Sequence, residues 1–199
     1  MKNKYVLTGL LVVMAGMIAF ALFFKDDFIA LLDQPALYDH ARFVHIVATT
    51  LFFANAVVGM IWERRSLVSG RKDMILHTYS TVAWLDARFS SPLIIISVVA
   101  GLSLSFSMGD LWQIGWLSVG FVLFLLSGLF WVASDIPTQY KVNTLMAQLD
   151  PADPALPEDL TRILRLRWWI SLAGVAPLVI VFALMVYKPA IPAVASLLP

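Results

Sequence analysis

Long apolar stretches alternate with short polar segments along the chain, and this pattern predicts membrane-spanning helices. The hydrocarbon core of a bilayer is about 30 Å thick, so a helix of about 20 apolar residues crosses it. Stretches of at least this length lie at residues 5–24, 41–62, 79–107, 111–133 and 168–187. The sequence therefore predicts an all-α fold, a polytopic membrane helical bundle with five transmembrane helices, forming a single membrane domain over residues 1–199.

Polar residues and prolines predict where these helices start, bend and end. The third apolar stretch and its approach are too long for one perpendicular crossing, so we expect an amphipathic entry over residues 73–79 and a bend at Pro92. The segment "DDFIALLD" predicts a short helix on the membrane surface that ends at Pro35. The helical pattern of the fourth span continues past Pro137, outside the bilayer.

The first apolar stretch has two interpretations. Lys2 and Lys4 precede it, as basic residues do in a signal peptide. However, the apolar core is longer than that of a usual signal peptide, and "KDDF" follows it instead of the small residues of a cleavage site. These two features favour an uncleaved first helix.

Composition supports a membrane protein and excludes several kinds of site. Hydrophobic residues make up 60% of the chain and charged residues 14%, whereas soluble domains average about half and about a quarter. Cysteine is absent, which excludes disulfides, thiolate metal sites and catalytic thiols. The net charge is +1 and no basic stripe alternates with aromatic residues, so nucleic acid is not an expected partner. The lipid bilayer is the expected surrounding.

The positions of lysine and arginine predict the orientation of the five spans. One side collects Lys2, Lys4, Arg64, Arg65, Arg71, Lys72, Lys141, Arg162, Arg165 and Arg167. The other side collects Lys25, Arg42 and Lys188. Because cytoplasmic loops carry an excess of these residues, the N-terminus is expected in the cytoplasm and the C-terminus on the periplasmic or extracellular side.

Four segments carry a resemblance to a known family. They are "LFFANAVVGMIWERR", "WLDARFSSPLIIISVVAGLSL", "LFWVASDIPTQ" and "RWWISLAGVAPLVIVFALMVYKP", in this order. Together they resemble the bacterial membrane family called domain of unknown function 2269, over roughly residues 40 to 189. The resemblance implies a multi-pass protein of the bacterial inner membrane and no assigned activity. More remotely, the "HI" that opens the second span resembles the haem-binding bacterial protoporphyrinogen oxidase and the copper-resistance D family.

Two histidines near the start of the second span are candidate cofactor ligands. The fifth span runs in the opposite direction, so Met185 and Lys188 are expected at a depth similar to that of His45 and His40. His/Met ligation is one pattern of haem binding. His77 opens the third span at the other membrane face and is a poor partner for His45. Three roles stay open for His45: a hydrogen-bonded polar residue in the bundle, a haem or metal ligand, or a proton-handling group.

A second set of polar residues lies towards the cytoplasmic ends of the spans. Asn55 and Asp86 are expected at similar depths, and we predict a hydrogen bond between them. Asp86 and Arg88 are two residues apart and point in different directions on a helix, so they cannot easily pair. Asp135 is a candidate neighbour for Arg88. Intramembrane ionisable residues are functional candidates. Polar contacts between helices are the favoured interpretation of this set, and a proton or ion pathway and a substrate site stay open.

Two further patterns are typical of helices packed in lipid. Ser97, Gly101 and Ser105 are spaced four apart, which predicts a face for close helix approach. Tryptophans near the predicted span ends fit an aromatic belt at the membrane interface: Trp62, Trp112, Trp116, Trp168 and Trp169.

Three functions are compatible with these residues. The first is a non-catalytic membrane component, with a homo-oligomer or another membrane protein as its partner. The second is a redox protein that binds a b-type haem or a metal through His45. The third is a small transporter or proton path that uses Asp86, Arg88 and Asn55. The chain has no zinc-binding His-Glu motif, phosphate-binding loop or nucleophile triad, so no enzyme class and no metal site is assigned.

Overall fold

The computed structural model describes residues 2–32, 35–149 and 155–197, and every regular element in these ranges is helical. The helices are α1 (Lys2–Phe23), α2 (Lys25–Leu32), α3 (Tyr38–Ser69), α4 (Lys72–Leu85), α5 (Ser91–Ser107), α6 (Gly115–Ala147) and α7 (Glu158–Tyr187). A π-helical segment, Asp86–Ser90, joins α4 to α5, and short 3-10 helices occupy Pro35–Leu37 and Val194–Leu197. The predicted all-α membrane bundle is confirmed.

Four of these helical stretches are long and apolar enough to cross a membrane. They are Tyr38–Ser69, Lys72–Ser107, Gly115–Ala147 and Glu158–Tyr187. A fifth crossing arises if α1 and α2 count as one broken span, in which Thr8–Phe23 and Lys25–Leu32 meet at an angle of 105°. The described chain therefore has four or five candidate spans, by length and composition. Each of the last four predicted spans overlaps one of the four continuous stretches.

The short helix predicted after the first span is present as α2, and its burial explains the sharp turn. The side chain of Phe28 is completely buried. Its ring lies 6.1 Å from that of Phe20 in α1 and 5.6 Å from that of Phe106 in α5, measured between centroids. This aromatic cluster holds α2 back against α1 and α5. The position of α2 relative to the membrane surface stays a prediction.

Helix α6 starts at Gly115, later than the predicted start of the fourth span at residue 111. The side chain of Asp110 explains the delay, because its Oδ1 accepts the backbone N–H of Trp112 at 2.8 Å. The carbonyl of Asp110 also accepts the N–H of Gln113 at 3.1 Å. Such Asx turns compete with helix formation, so residues 111–113 form turns before the helix begins. At the other end, α6 continues through Pro137 to Ala147, as predicted.

The residues after α7 return to the start of α6. The backbone N–H of Val194 donates to Ser118 Oγ at 3.1 Å, and the N–H of Ala195 to the carbonyl of Trp112 at 3.4 Å. The Ile191 carbonyl lies so close to Gly115 that a Cβ there would overlap it. A glycine at this position is therefore what allows the two backbones to approach.

The chain forms two compact units. Unit 1 contains Met1–Ala56, Ala83–Ser118 and Ile191–Pro199, and unit 2 contains Val57–Val82 and Val119–Ala190. The centre of unit 1 includes the phenylalanine cluster around Phe28. The core of unit 2 consists of Ile75, Tyr79, Val142, Leu160, Ile163 and Leu164. The interpretation of the chain as one membrane domain stays a prediction.

Candidate functional site

The third candidate span contains one turn of π-helix just before Pro92. Proline has no N–H to donate, and in a regular α-helix its ring would clash with the carbonyl of Arg88, four residues earlier. Here the backbone N–H of Ser91 donates to the carbonyl of Asp86, five residues earlier, which is the π pattern. The hydroxyl of Ser91 donates to the same carbonyl at 2.7 Å. The wider turn therefore accommodates Pro92 and keeps the backbone hydrogen-bonded.

Hydrogen bonds connect one side of α3 with the π segment and α5, all within unit 1. Asn55 Nδ2 donates to Ser90 Oγ at 2.8 Å. Nearer the start of α3, Thr49 Oγ1 and Ser97 Oγ are 2.5 Å apart. His45 Nδ1 lies 2.7 Å from the carbonyl oxygen of Ser97. We call these five residues, His45, Thr49, Asn55, Ser90 and Ser97, the polar seam.

The imidazole of His45 is held in a defined orientation by two neighbours. Because a carbonyl oxygen only accepts, the bond to Ser97 requires a proton on Nδ1, and Nε2 of the neutral ring keeps its lone pair. The ring lies against Gly101, where a Cβ would come within 2.8 Å of His45 Cε1. Only glycine leaves room for the ring at this position. His45 therefore presents a fixed tautomer, and its ring is half-buried.

Asp86 and Arg88 lie in different surroundings although they are two residues apart. Asp86 begins the π segment and is half-buried. It precedes Ser90 by about one helical turn, so it shares the side of the helix that carries the polar seam. Arg88 is exposed, and its guanidinium lies 5.6 Å from the centroid of the Trp84 ring. Asn55 Nδ2 donates to Ser90, and its predicted hydrogen bond to Asp86 stays a prediction.

Unit 2 contains a buried ion pair between α6 and α7. Arg167 Nη2 lies 3.2 Å from Asp135 Oδ1 and 3.4 Å from Oδ2. The Arg167 guanidinium is also 5.9 Å from the centroid of the Tyr79 ring, whose hydroxyl donates to the Leu164 carbonyl at 3.4 Å. Arg167 Nε has no hydrogen-bond partner among the described residues. Glu63, in the same unit, is buried as well.

Arg167 is not predicted from the sequence as the partner of Asp135, because its neighbours Arg162 and Arg165 place it in the basic cluster at the cytoplasmic ends of the spans. A signal was nevertheless present in the sequence. Leu160, Ile163, Leu164 and Arg167 follow the spacing of one helical face, and all four are buried. Arg162 and Arg165 lie off this face and are exposed. An arginine at a core position of an amphipathic helix predicts a buried acidic partner.

The remaining candidate residues lie in varied positions. His40 is exposed on the first turn of α3. Met185 is half-buried in α7, and its Cε comes within 3.0 Å of where a Cβ on Gly120 would lie. Lys188 caps α7 in the left-handed conformation, with a φ of 45°, and its side chain is exposed. Convergence of Met185 and Lys188 with His45 stays a prediction.

Ligands for a metal ion are not gathered in the described ranges. No group of three or more histidine, cysteine, aspartate or glutamate side chains there could hold a metal ion. Two places in these ranges nevertheless combine an ionisable side chain with polar contacts: His45 in the polar seam and the Asp135–Arg167 pair.

Several long apolar helices with buried polar contacts define a multi-pass integral membrane protein. A family model described as "Predicted integral membrane protein (DUF2269)" matches residues 39–189 of the chain. The chain belongs to this family, and the resemblance seen in the sequence is confirmed. No curated protein and no solved structure matches the chain. The more remote likeness to haem- and copper-related families stays a prediction.

Proposed function

We propose that this protein provides a proton path through the membrane along the polar seam, with Asp86 and His45 as its proton-binding groups. The proposal rests on a line of polar contacts that joins α3, on one side, to the π segment and α5, on the other. His45 and Thr49 meet Ser97, and Asn55 meets Ser90. Hydroxyl, imidazole and carboxyl groups in such a line are the usual components of proton relays in membrane proteins.

The length of the seam supports this proposal. His45 and Asn55 are ten residues apart in α3, which corresponds to about 15 Å along the helix axis. Asp86 and Ser97 are eleven residues apart on the other side, a similar distance. The seam with Asp86 therefore covers about half of a hydrocarbon core of about 30 Å. Helix packing alone would be served by serine and threonine and does not require ionisable side chains at the two ends.

The π segment adds a second reason to assign function here. Single π turns inside α-helices occur frequently at functional sites. Irregular backbone at membrane depth is tolerated where protein surrounds it or where it lines a polar cavity. In this chain the π segment begins at Asp86 and ends at Ser90, which accepts the hydrogen bond of Asn55. The deviation from α-helix thus lies on the segment that contains both Asp86 and a residue of the polar seam.

Proton flux into reconstituted vesicles tests the proposal. Vesicles containing the protein and an internal pH-sensitive dye receive a potassium diffusion potential, and the rate of acidification is compared with that of protein-free vesicles. We expect faster acidification with the wild type, and a return to the protein-free rate for Asp86→Asn and His45→Gln. Ser103→Ala is the matched control, because the Ser103 hydroxyl also makes an interhelical hydrogen bond, to the Leu32 carbonyl at 2.9 Å, away from the seam.

Flux equal to that of protein-free vesicles, or full flux in folded Asp86→Asn protein, would overturn the proton path. The polar seam would then serve helix packing only. The interpretation as a non-catalytic membrane component, acting with copies of itself or with another membrane protein, would be the one that remains.

A second candidate function, axial ligation of a b-type haem by His45, is supported by the orientation of the imidazole. Donation of Nδ1–H to a backbone carbonyl is the usual arrangement of a histidine that binds a metal through Nε2. Protein purified from haem-supplemented cells should then show a Soret band that His45→Ala removes. His40 is an exposed histidine on the same helix, and His40→Ala should leave the band unchanged. Colourless protein from such cells contradicts this candidate.

We further propose that the chain lies in the bacterial inner membrane with its N-terminus in the cytoplasm and its C-terminus on the periplasmic side. The support is the asymmetry of basic residues: ten lysines and arginines fall on one side of the five spans and three on the other. Such an excess is typical of cytoplasmic loops. The exposed loop between α3 and α4 belongs to the basic side, and there the Asp73 carboxylate, by its hydrogen bond, raises the pKa of Arg71 above its usual range.

A further inference from the structure

A cavity between α3 and α7 combines arginine with tryptophan. Its volume is about 260 Å³, and it is lined by Arg64, Leu67, Arg165, Trp168 and Trp169. All five residues belong to unit 2. None of them is acidic, and neither arginine forms an ion pair with a described residue. Two like charges therefore face one cavity, and no carboxylate of the described residues pairs with them.

The aromatic wall of this cavity is fixed in place by contacts within the unit. Trp168 Nε1 donates to the carbonyl of Met60 at 3.2 Å, which sets the plane of the indole. The Trp169 ring meets it edge to face, with centroids 4.9 Å apart. The Arg64 guanidinium lies 6.0 Å from the Trp168 ring and is oriented by that contact. The cavity is therefore preformed and does not depend on a ligand to assemble it.

We propose that this cavity binds the phosphate-bearing headgroup of an anionic phospholipid. Arginine presents planar N–H donors that match the oxygens of a phosphate group, so Arg64 and Arg165 supply the charge and the hydrogen bonds. Leu67 and the tryptophans supply an apolar surface for the glycerol and the first carbons of the acyl chains. Free inorganic phosphate shares the headgroup chemistry but has nothing to place against that surface.

The position of the cavity favours a lipid as its occupant. Trp169 is 63% exposed and Leu166, three residues earlier, is 52% exposed, so this side of α7 presents apolar surface outwards. Tryptophan at the end of an apolar helix is typical of the membrane interface. Basic cavities between helices at that depth are suited to anionic headgroups, and each arginine near the surface contributes about fivefold in binding.

Binding to delipidated protein in a neutral detergent tests the proposal. The probes are phosphatidylglycerol, phosphatidylcholine and inorganic phosphate, and binding is followed by native mass spectrometry and by the thermal unfolding midpoint. We expect phosphatidylglycerol to bind more tightly than phosphatidylcholine, and phosphate to bind at least as weakly as phosphatidylcholine. Arg64→Gln and Arg165→Gln should each weaken phosphatidylglycerol binding by about fivefold. The matched controls are Arg65→Gln and Arg162→Gln, which change exposed arginines. Arg65 follows Arg64 in the sequence, and Arg162 lies one helical turn before Arg165.

Each unfavourable outcome is distinct. Equal loss of affinity in the control variants would mean diffuse attraction to basic helix ends, and would overturn a defined site. Inorganic phosphate could instead bind as strongly as phosphatidylglycerol, with the same dependence on Arg64 and Arg165. That result would make this a site for a soluble anion and would overturn the lipid assignment. Unchanged binding of phosphatidylglycerol in the two variants, with a normal circular dichroism spectrum, would overturn it as well.

Discussion

Arg167 and Asp135 form an ion pair 3.2 Å long in which only 4% and 2% of the two side chains are exposed. Removing charges from water is costly, and the pair is tolerated because each charge has the other as its partner. Breaking such a pair leaves one buried charge without compensation. This relationship joins α6 to α7 within unit 2, and the removal of either residue alone leaves the other charge buried without its partner.

Replacement of one partner of this pair should destabilise the protein strongly. We expect Arg167→Met to lower the free energy of unfolding by about 3–5 kcal/mol, because Asp135 is left buried and unpaired. The double variant Arg167→Met with Asp135→Leu should regain most of this loss. Denaturant unfolding in mixed micelles measures both. Arg42→Gln, which breaks the exposed Asp39–Arg42 pair, is the control and should change the free energy by less than about 1 kcal/mol. A double variant as unstable as the single one would contradict the compensation argument.

The contact between Gly101 and His45 predicts that Gly101→Ala lowers the free energy of unfolding when His45 is present and raises it when His45 is replaced by alanine. Gly101→Ala places a Cβ within 2.8 Å of His45 Cε1 and should cost about 1–3 kcal/mol through overpacking. In the His45→Ala protein the same change should stabilise by up to about 1 kcal/mol, since alanine is the better helix former. Unfolding free energies give both values. Gly128→Ala is the control, because nothing lies within 4 Å of a Cβ there, and it should be stabilising in either background. Destabilisation by Gly101→Ala in both backgrounds would rule out His45 as the cause.

The hydrogen bond between Asn55 and Ser90 should appear as an energetic coupling. Interhelical hydrogen bonds in membranes average about 0.6 kcal/mol and reach about 1.7 kcal/mol. A double-mutant cycle with Asn55→Ala and Ser90→Ala should give a value in this range. A parallel cycle with Asp86→Asn measures whether Asn55 also meets Asp86, as the sequence predicts. Strict additivity in the first cycle would mean that α3 does not contact the π segment through these side chains.

A reporter at each of three places determines the number of spans. If α1 crosses the membrane, two spans separate the N-terminus from the loop after Gly70, and we expect both to report the cytoplasm. Three further spans separate this loop from the C-terminus, which should report the opposite side. If the bent pair of α1 and α2 does not cross, the loop and the C-terminus are unaffected and the N-terminus reports the outside. Placement of the loop and the C-terminus on the same side would contradict both arrangements.

The contact of the C-terminal segment with α6 should depend on Gly115. Gly115→Ala introduces a Cβ that overlaps the carbonyl of Ile191, so residues 191–197 should detach. Hydrogen exchange of the Val194 and Ala195 amides, which donate to Ser118 and Trp112, should become faster. Gly16→Ala has open space around its Cβ and should leave this exchange unchanged. Protection that survives Gly115→Ala would show that the segment is held elsewhere.

Much of the helical architecture could be predicted from the sequence, because length and polarity determine it locally. The apolar stretches, the short α2 after the first span and the continuation of α6 through Pro137 all follow from such local patterns. A proline at position 92 also predicts a disturbed third span. It does not reveal that the disturbance takes the form of a π turn from Asp86 to Ser90, since that depends on which carbonyl the N–H of Ser91 reaches.

Contacts of polar side chains were harder to predict, because they depend on how helices are rotated about their axes. The sequence predicts Asn55 and His45 as candidates, whereas it marks Ser97 only as part of a small-residue stripe and gives no prediction for Ser90. Serine is small and uncharged, and its hydroxyl can bond to the backbone of its own helix, so its presence in an apolar stretch does not indicate a partner on another helix. Arg167 was missed for the opposite reason: a charge beside other charges was assigned to the water-exposed end of a helix although its helical face is buried.

The π turn also sets the angular phase of everything that follows it in the same helix. One additional residue in a turn rotates the later side chains by about 100° relative to an uninterrupted α-helix. Without that offset, Ser97 and Gly101 would point away from His45, and the small residues of α5 would meet a different neighbour. A family member with one residue fewer between Asp86 and Ser90 can therefore form a regular α-helix there and keep the interface of α5 in register, whereas a member of the same length that lost the π turn would have to rebuild that interface.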